Sequence, residues 1–415
     1  MPAVTRHIGL SLGADICWPL AFEQILADSK LALKLGKDVV SFACERVRLG
    51  PFALAEGCKY DIVVDRLTHW FTLQREWIKK AVLMDGLYVY NNPWSVQSQT
   101  KHSSYCAMLA LGMPIPKTVM VPQKAYEPKT DLDFTLRAYA DLFDLGPIGK
   151  DVGYPQFMKP YDGGGWQGVS KVDDEADLRR CYDDSGTYLM HLQQGVAGFD
   201  LFVRAVGIGP QVRLMKYDAS QPLHGRYLPD RDFCTKAEQQ VMADTCLTIN
   251  AFFGWDFNSV EALRQGGVFH PIDFANPCPD SQVNSIHHHW PWYVLSNLRW
   301  AVFVAATQRA MRKTLDFEPF YAIAKRDLPY RDKLKGYADI ARQRFAADEF
   351  ATFCRQHLQP LERAAFAWFR SDRCLDAIRK KVANVYPAHE VDEFTGRFHA
   401  LVLRSVGDME KESVS

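Results

Sequence analysis

The segment YPQFMKPYDGGGWQGVSKV, from Tyr154 to Val172, is the most informative part of the chain for the fold. A strand-like apolar run ends at Lys159, three consecutive glycines follow, and an extended pattern then resumes. Glycine lacks the Cβ atom that blocks close approach, so a hairpin tip of this kind can lay backbone N–H groups against phosphate oxygens. The segment therefore predicts a phosphate-contacting hairpin with a lysine beside it.

Two interpretations of this segment remain open when it is taken alone. The spacing differs from the G-x-x-x-x-G-K-[ST] loop, which excludes a standard P-loop NTPase. The second interpretation is a glycine-rich surface hairpin with a solvated lysine. The segments on either side favour the first.

The flanking segments carry further polar residues at informative positions. Upstream, QTKHSSYCAMLALGMPIPKTVMV places Lys101 at the start of a predicted helix that is followed by a strand. Downstream, LMHLQQGVAGFDLFVRAVG carries Gln193 and Asp200. Farther on, VEALRQGGVFHPIDFANPCPD forms two extended runs that carry three oxygen-bearing side chains, those of Glu261, Asp273 and Asn276.

In this order the segments resemble the ATP-grasp superfamily, and the nucleotide site looks most like that of D-alanine:D-alanine ligase. The resemblance covers roughly residues 95 to 285. It implies an ATP-grasp fold of the α/β (α+β) class, with ATP and Mg²⁺ as cofactors. It also implies a ligase that activates a carboxylate as an acyl phosphate.

The resemblance assigns the nucleotide-binding residues one by one. Lys101 and Lys159 would contact the α and β phosphates. The side chain of Gln193, at a position that is usually acidic, would face the adenine amino group, and Asp200, where glutamate is usual, would hold the ribose. The remaining residues implied for the nucleotide are the closing loop Gly163, Gly164 and Gly165 and the backbone hinge at Gln194 and Val196.

The same resemblance places a catalytic cation and a metal site. Arg226, in the run HGRYLPDRDF, would reach the γ phosphate. Glu261, Asp273 and Asn276 would hold Mg²⁺, which prefers oxygen ligands. Asp273 and Asn276 are three positions apart, whereas the family has these ligands two apart on one face of a strand, and a bulge or the strand's end near Phe274 would realign them. The alternative for this pair is an ordinary strand acid and a turn-forming asparagine.

The first 95 residues alternate apolar runs with helical patterns, as parallel α/β units do. They predict a Rossmann-like domain at 1–95 without a G-x-G-x-x-G fingerprint, which argues against a dinucleotide role. Strands are expected at Ile8–Leu12, Asp38–Ala43, Asp61–Val64 and Leu87–Tyr90, and helices at Phe22–Leu35 and Leu73–Met84.

Three charged residues of this first segment are substrate candidates. Asp15 lies just beyond the first predicted strand, and Asp65 and Arg66 end the third. The carboxyl ends of parallel strands border the clefts of open α/β sheets, where ligands bind. Loop capping by aspartate is the alternative interpretation.

Two further domains are expected after the first. An ATP-grasp domain with its lid and metal-binding lobe is predicted at 96–290. A helical domain is predicted at 291–415, where glycine becomes rare. The apolar stretch from Trp290 to Ala306 carries Asn297 and Arg299 and predicts a buried helix rather than a membrane span.

The composition excludes several classes of partner. The chain has 49 basic and 49 acidic residues, so no net charge attracts nucleic acid or an anionic membrane. Ten scattered cysteines without a CxxC pair indicate a reduced, cytoplasmic protein. Cys106 and Cys181 are expected to be ordinary packed or surface thiols, and the consecutive histidines 287–289 cannot all face one metal ion.

Three functions follow from these residues. The leading one is a ligase that joins a small-molecule or peptide carboxylate to an amine or thiol. The alternatives are a kinase on the same scaffold and a nucleotide-binding regulatory protein whose helical region engages a partner. The sequence leaves homo-oligomer formation open, and it identifies neither the acid nor the nucleophile.

Overall fold

The computed structural model describes residues 3–66, 70–98, 100–162 and 167–414, which form fourteen β-strands and sixteen α-helices. The chain divides into two compact units, each built from separate stretches of sequence. The first unit comprises Met1–Ser98, Val203–Ser259 and Pro277–Ser415. The second comprises Gln99–Phe202 and Val260–Asn276.

The first unit opens with a five-stranded sheet in the order β2-β3-β1-β4-β5. Strands β3, β1, β4 and β5 run parallel, and β2 is antiparallel to β3. All four strands expected in this segment are present, as is the helix expected near residue 73. The elements are β1 (Ala3–Ser11), α1 (Cys17–Ser29), β2 (Ala32–Leu35), β3 (Asp38–Arg46), β4 (Ile62–Asp65), α2 (Thr72–Asp85), β5 (Tyr88–Val89) and α3 (Pro93–Ser98).

The helix expected at Phe22–Leu35 is wrong at its C-terminal end. Helix α1 stops at Ser29 because Lys30 adopts a left-handed conformation with φ of 44°. Left-handed residues end helices by turning the chain away from the axis. The next residues form the edge strand β2, in which Leu33 pairs with Val40 of β3 and is buried.

The second unit contains an antiparallel four-stranded sheet in the order β6-β9-β7-β8. The expected helix beginning at Lys101 and the expected strands on both sides of the glycine loop are present. The elements are α4 (Lys101–Ala110), β6 (Thr118–Val121), α5 (Leu132–Tyr139), α6 (Leu145–Val152), β7 (Gln156–Pro160), β8 (Ser170–Val172), α7 (Glu175–Asp184) and β9 (Met190–Gln194).

The two faces of this sheet differ in polarity because side chains alternate along each strand. One face packs against α6 and α7 and forms an apolar core of Val121, Leu145, Val152, Met158, Val172, Leu178, Tyr182, Met190 and Leu192. The other face carries Thr118, Lys159, His191 and Gln193, which strand register places side by side. The polar face therefore positions the candidate site.

A third sheet has the order β12-β11-β10-β13-β14. The division between the units falls within β10 and β13. Gly266 and Gly267, with φ of 55° and 79°, turn the chain between β13 and β14, as a two-residue hairpin requires. The elements are β10 (Leu201–Ile208), β11 (Gln211–Tyr217), β12 (Tyr227–Leu228), α8 (Lys236–Phe253), β13 (Phe257–Gln265) and β14 (Val268–Asn276).

The rest of the chain is helical and belongs to the first unit. Helix α10 is buried almost throughout, as its apolar sequence predicts. No helix in the described part of the chain is long and apolar enough to span a bilayer. The helices are α9 (Val283–Ile286), α10 (Trp290–Thr307), α11 (Glu318–Ala324), α12 (Tyr330–Arg344), α13 (Ala347–His357), α14 (Gln359–Phe369), α15 (Asp372–Ala383) and α16 (Val391–Val414).

Candidate functional site

Lys101 occupies the first turn of α4 in the second unit. A capping box of Thr100 and Ser103 begins the helix, and the Ser103 hydroxyl accepts the Thr100 backbone N–H at 3.1 Å. Lys101 is 7% exposed, and its ammonium group pairs with the Asp273 carboxylate of β14. A lysine at a helix N-terminus adds its charge to the positive end of the helix dipole, so this position attracts anions.

Lys159 projects from β7 on the polar face of the sheet. Its Nζ donates to Gln193 Oε1 at 2.7 Å and to the Ile272 carbonyl oxygen at 3.4 Å. Gln193 Nε2 in turn donates to Thr118 Oγ1 at 3.0 Å. The two lysines predicted to contact phosphates thus lie in one unit, and each reaches β14 through residues 272 and 273.

The pKa of Lys159 is lowered to about 8. Removal of the ammonium group from water is the main cause, and the neighbouring charge of Lys101 acts in the same direction. The carboxylates of Asp273 and Glu261 oppose the shift without cancelling it. A bound anion would stabilise the charged form of Lys159, because the neighbouring carboxylates do not fully compensate for its burial.

Asp273 and Glu261 supply the carboxylates of the site. Asp273 Oδ2 accepts from Lys101, whereas its buried Oδ1 has no hydrogen-bond partner. Glu261 on β13 is 7% exposed. An open carboxylate oxygen near a second buried carboxylate fits a Mg²⁺ ion, which takes oxygen ligands and retains water.

Asn276 is the least regular of the three metal ligands implied by the resemblance. Phe269, Pro271 and Phe274 of β14 are buried, so regular side-chain alternation is interrupted between Pro271 and Phe274, next to Asp273. In the part of the chain that the structure describes, no group of three His, Cys, Asp or Glu side chains could hold a metal ion. Two carboxylates therefore stand as the core of the candidate metal site.

Tyr105 contributes to the site although the sequence did not single it out. It follows Lys101 by one turn of α4, is 2% exposed, and donates its hydroxyl to the Ile272 carbonyl oxygen at 2.6 Å. The i, i+4 spacing from Lys101 was the available signal, because such residues share one helix face. Tyr105 therefore holds α4 against the strand that carries Asp273.

His191 is the second residue that the sequence interpretation missed. It is fully buried, stacks on His102 with ring centroids 5.4 Å apart, and neither of its ring nitrogens has a hydrogen-bond partner. Burial lowers its pKa to about 3, with further lowering by His102, so the imidazole is neutral. Strand alternation from Gln193, two residues later, could have placed it on the polar face.

The predicted hinge begins at Gln194, the last residue of β9, and includes Val196. The Gln194 backbone N–H donates to the Lys117 carbonyl oxygen at 2.8 Å, and its side chain is exposed, while Val196 is half-buried. A Cβ atom on Gly195 would lie 2.6 Å from the Pro155 carbonyl oxygen, so only glycine fits here. Contact between this backbone and adenine stays a prediction.

Asp200, the predicted ribose ligand, lies just before β10 and is largely exposed. Arg264 binds both of its oxygens, with Nε to Oδ1 at 3.0 Å and NH2 to Oδ2 at 2.9 Å. This ion pair lowers the pKa of Asp200. A ribose contact at Asp200 would therefore have to share the carboxylate with Arg264.

Two predicted parts of the site have no tested role in the structure. Gly163, Gly164 and Gly165 fall outside the described residues. Arg226 belongs to the first unit, where its Nε donates to the Gln221 carbonyl oxygen at 2.9 Å. Its role toward the γ phosphate stays a prediction.

Asp15 and Arg66 form a closed network in the first unit. Arg66 donates to Asp15 Oδ2 at 3.0 Å, to the Pro279 carbonyl oxygen at 2.9 Å, and to the hydroxyls of Ser281 and Tyr293 at 3.1 and 3.2 Å. Both charged side chains are buried. Asp65, at the end of β4, is also buried. The contacts of Arg66 fit a structural tie between β4 and the segment before α10.

Comparisons by sequence find no relative. No family model matches the chain, and no curated protein matches it either.

Comparison with solved structures finds ATP-grasp ligases, the superfamily that the motifs resemble. D-alanine–D-alanine ligase from Bacillus anthracis, complexed with ATP, is 12% identical over 74% of this chain and 98% of that chain, with a TM-score of 0.46. The RimK domain ATP-grasp protein from Sphaerobacter thermophilus is 14% identical over 66% and 92%, with a TM-score of 0.44. VanG D-Ala:D-Ser ligase from Enterococcus faecalis is 13% identical over 82% and 99%, with a TM-score of 0.42.

Proposed function

We propose that the chain is an ATP- and Mg²⁺-dependent ligase that activates a carboxylate as an acyl phosphate for attack by an amine or thiol, releasing ADP and phosphate. One observation carries the proposal. Lys101 and Lys159 lie with Asp273 in the second unit, and the Asp273 Oδ1 atom is buried without a hydrogen-bond partner. Two cations beside an unsatisfied carboxylate suit a polyphosphate with a bound cation.

The two lysines would bind the nucleotide phosphates. In the structure Lys101 pairs with Asp273 and Lys159 with the amide of Gln193. Phosphate oxygens would replace these partners, and the buried surroundings would strengthen the new contacts, because water screens them less. Gln193, released from Lys159, would then be able to accept from the adenine amino group.

A bound Mg²⁺ ion would supply positive charge that neutralises the phosphate oxygens of the nucleotide. Asp273 and Glu261 would hold it, with Asn276 as the third candidate ligand. The Asp273 carboxylate has one oxygen available while Lys101 occupies the other. Exchange of Lys101 from Asp273 to phosphate would make both carboxylate oxygens available.

The chemical steps follow from the charges in the site. A substrate carboxylate oxygen would bond to the γ phosphorus, and the bond from that phosphorus to the β–γ bridging oxygen would break, so ADP leaves with the electron pair. Two anions repel each other, so neutralisation by Lys101, Lys159 and Arg226 must lower this barrier. The amine or thiol would then attack the carbonyl carbon, lose a proton and expel phosphate.

The test measures products against a panel of carboxylic acids, each with and without amines and thiols. A ligase releases ADP and phosphate only when acid and nucleophile are both present. Substrate labelled with ¹⁸O in its carboxylate should pass one label to the phosphate. A kinase would instead release ADP with a hydroxyl substrate, and a regulatory protein would bind ATP without turnover.

AMP and pyrophosphate as products would overturn the acyl-phosphate route. The matched control is Lys171→Ala, which removes an exposed lysine of the same sheet whose ammonium already pairs with Asp173 at 2.7 Å. This variant should keep the product pattern and rate of the unmodified protein.

A further inference from the structure

Arg213 of β11 forms no direct ion pair with a carboxylate in the described part of the chain. Its residue is half-buried, and its NH2 group is shielded from solvent without a hydrogen-bond partner. In the described part of the chain, no carboxylate lies within 4.0 Å of it. Charged groups removed from water are normally paired, because an unpaired buried charge is costly. Glu412 and Asp408 act on Arg213 only at longer range, so the guanidinium has no direct anionic partner.

Two buried histidines lie beside Arg213. His288 and His289 are fully buried in the short 3₁₀ turn before α10. Neither ring nitrogen of His288 has a partner, and neither does Nδ1 of His289, whereas His289 Nε2 lies 3.1 Å from the Leu228 carbonyl oxygen. These nitrogens add unsatisfied polar atoms to the unpaired guanidinium.

Burial keeps both imidazoles neutral at physiological pH. It lowers the pKa of His288 to about 4, and the charge of Arg213 contributes to the same shift. The pKa of His289 is lowered well below its usual value, again by burial first and by Arg213 second. A neutral imidazole donates one N–H without adding charge.

The carboxylates nearest to Arg213 and the histidines make contacts with other groups. The Asp408 carboxylate is 4.0 Å from His288 Nε2, too far for a hydrogen bond, and Glu412 pairs with Arg231. The Trp292 ring lies 5.9 Å from the Arg213 guanidinium and provides an apolar wall. Neither carboxylate therefore pairs directly with the Arg213 guanidinium.

We propose that Arg213, His288 and His289 form a binding site for a small oxyanion, either a carboxylate or a phosphate group. The guanidinium matches the flat edge of such an anion with two parallel N–H groups. An imidazole N–H supplies a further donor, and the Trp292 ring suits an organic group attached to the anion. The site belongs to the first unit and uses none of the residues assigned to the nucleotide.

The test is thermal unfolding of the nucleotide-free full chain with sodium benzoate, inorganic phosphate or chloride at equal ionic strength. Ligands that bind only the folded state raise the melting temperature with concentration. Benzoate or phosphate should give a saturable rise on the order of 2 °C, and chloride none. A larger effect of benzoate identifies a carboxylate site, and a larger effect of phosphate a phosphate site.

The decisive variant is Arg213→Met, with Arg370→Met as its matched control. Arg370 carries the same charge on the surface of the first unit, where it pairs with Glu410. Arg213→Met should abolish the response to both anions without lowering the melting temperature in anion-free buffer, because it removes an unpaired buried charge. Arg370→Met should keep the full response.

Three results would overturn the proposal. One is an equal anion response in Arg213→Met and the unmodified protein. Another is the lack of a saturable response to either anion in the unmodified protein. The third is a large fall in melting temperature, or failure to fold, in Arg213→Met, since that would mean that contacts within the chain, such as Trp292, already satisfy the guanidinium.

Discussion

Each unit contains a cluster of buried charged residues. The two clusters differ in how many of their charged groups have hydrogen-bond or ion-pair partners within the chain. In the first unit, Arg66 donates to four oxygens of its own chain and its carboxylate partner Asp15 is buried beside it. In the second unit, Lys159 has a pKa lowered by burial, and Asp273 keeps a buried oxygen without a partner.

The difference separates a structural tie from a candidate binding site. A closed network, in which each polar group already has a partner, is not stabilised by an added ligand. An open network, with unpaired polar groups, is stabilised by a ligand that hydrogen-bonds to them. The open cluster is the one that the ATP-grasp resemblance assigns to the nucleotide. Asp15 and Arg66, proposed from strand ends as substrate residues, are bound to their own chain.

The largest effect is expected from breaking the closed network. Arg66→Met leaves the buried Asp15 carboxylate without its cation, and loss of one partner from a buried ion pair costs about 3–5 kcal/mol of unfolding free energy. Chemical denaturation should show this loss while ATP affinity in the folded protein stays unchanged. A stable Arg66→Met protein that loses its ATP affinity would reverse the two assignments.

A smaller effect, on turnover, is expected from the carboxylates of the open cluster. Asp273→Asn and Glu261→Gln should lower kcat by about 10²–10³-fold, because charge on the transferring phosphoryl group develops mainly in the transition state. The ATP dissociation constant should change much less. Steady-state kinetics and titration of each variant separate the two effects.

The matched control for this pair is Asp173→Asn, which removes an exposed carboxylate of the same unit that pairs with Lys171. It should leave kcat unchanged. Full activity in either Asp273→Asn or Glu261→Gln would move the metal site to other residues.

The smallest predicted effect is a pH dependence of ATP binding. Lys159 has a pKa of about 8, so below pH 8 its ammonium is already charged, and above pH 8 ATP binding must be accompanied by proton uptake. Affinity should therefore fall as pH rises, by up to about tenfold per unit above pH 8. Titration calorimetry between pH 7.5 and 9.5 measures this slope.

The variant Lys159→Arg tests whether Lys159 is the group that causes this pH dependence. Arginine stays protonated throughout this range, so the slope should disappear. A slope that persists in Lys159→Arg would assign it to another group.

Local patterns predicted much of the fold. Alternating apolar runs located the parallel strands of the first sheet, and the apolar stretch near Trp290 gave the buried helix α10. The end of α1 was missed because Lys30 adopts a left-handed conformation that usually marks glycine. The assembly of the second unit from residues 99–202 and 260–276 has no local signal, because strand pairing between distant segments creates it.

The sequence predicted those residues of the candidate site that are charged and belong to a recognisable motif. Lys101 and Asp273, 172 positions apart, were both named from the sequence and form an ion pair. His191 and Tyr105 were missed because a histidine in a strand and a tyrosine in a helix are ordinary core residues. Their significance comes from what they face, which depends on the packing of α4 against β9 and β14.

Titration with ATP and Mg²⁺ tests whether Lys159 binds the nucleotide, by comparing the unmodified chain with Lys159→Ala and Lys171→Ala. If Lys159 contacts phosphate, Lys159→Ala should bind ATP about 10–100-fold more weakly with its fold intact, since hydrogen bonds to charged groups contribute about 1.5–3 kcal/mol. Lys171→Ala, which removes an exposed lysine, should bind as the unmodified chain does. Equal ATP affinity in Lys159→Ala and the unmodified chain would contradict the account.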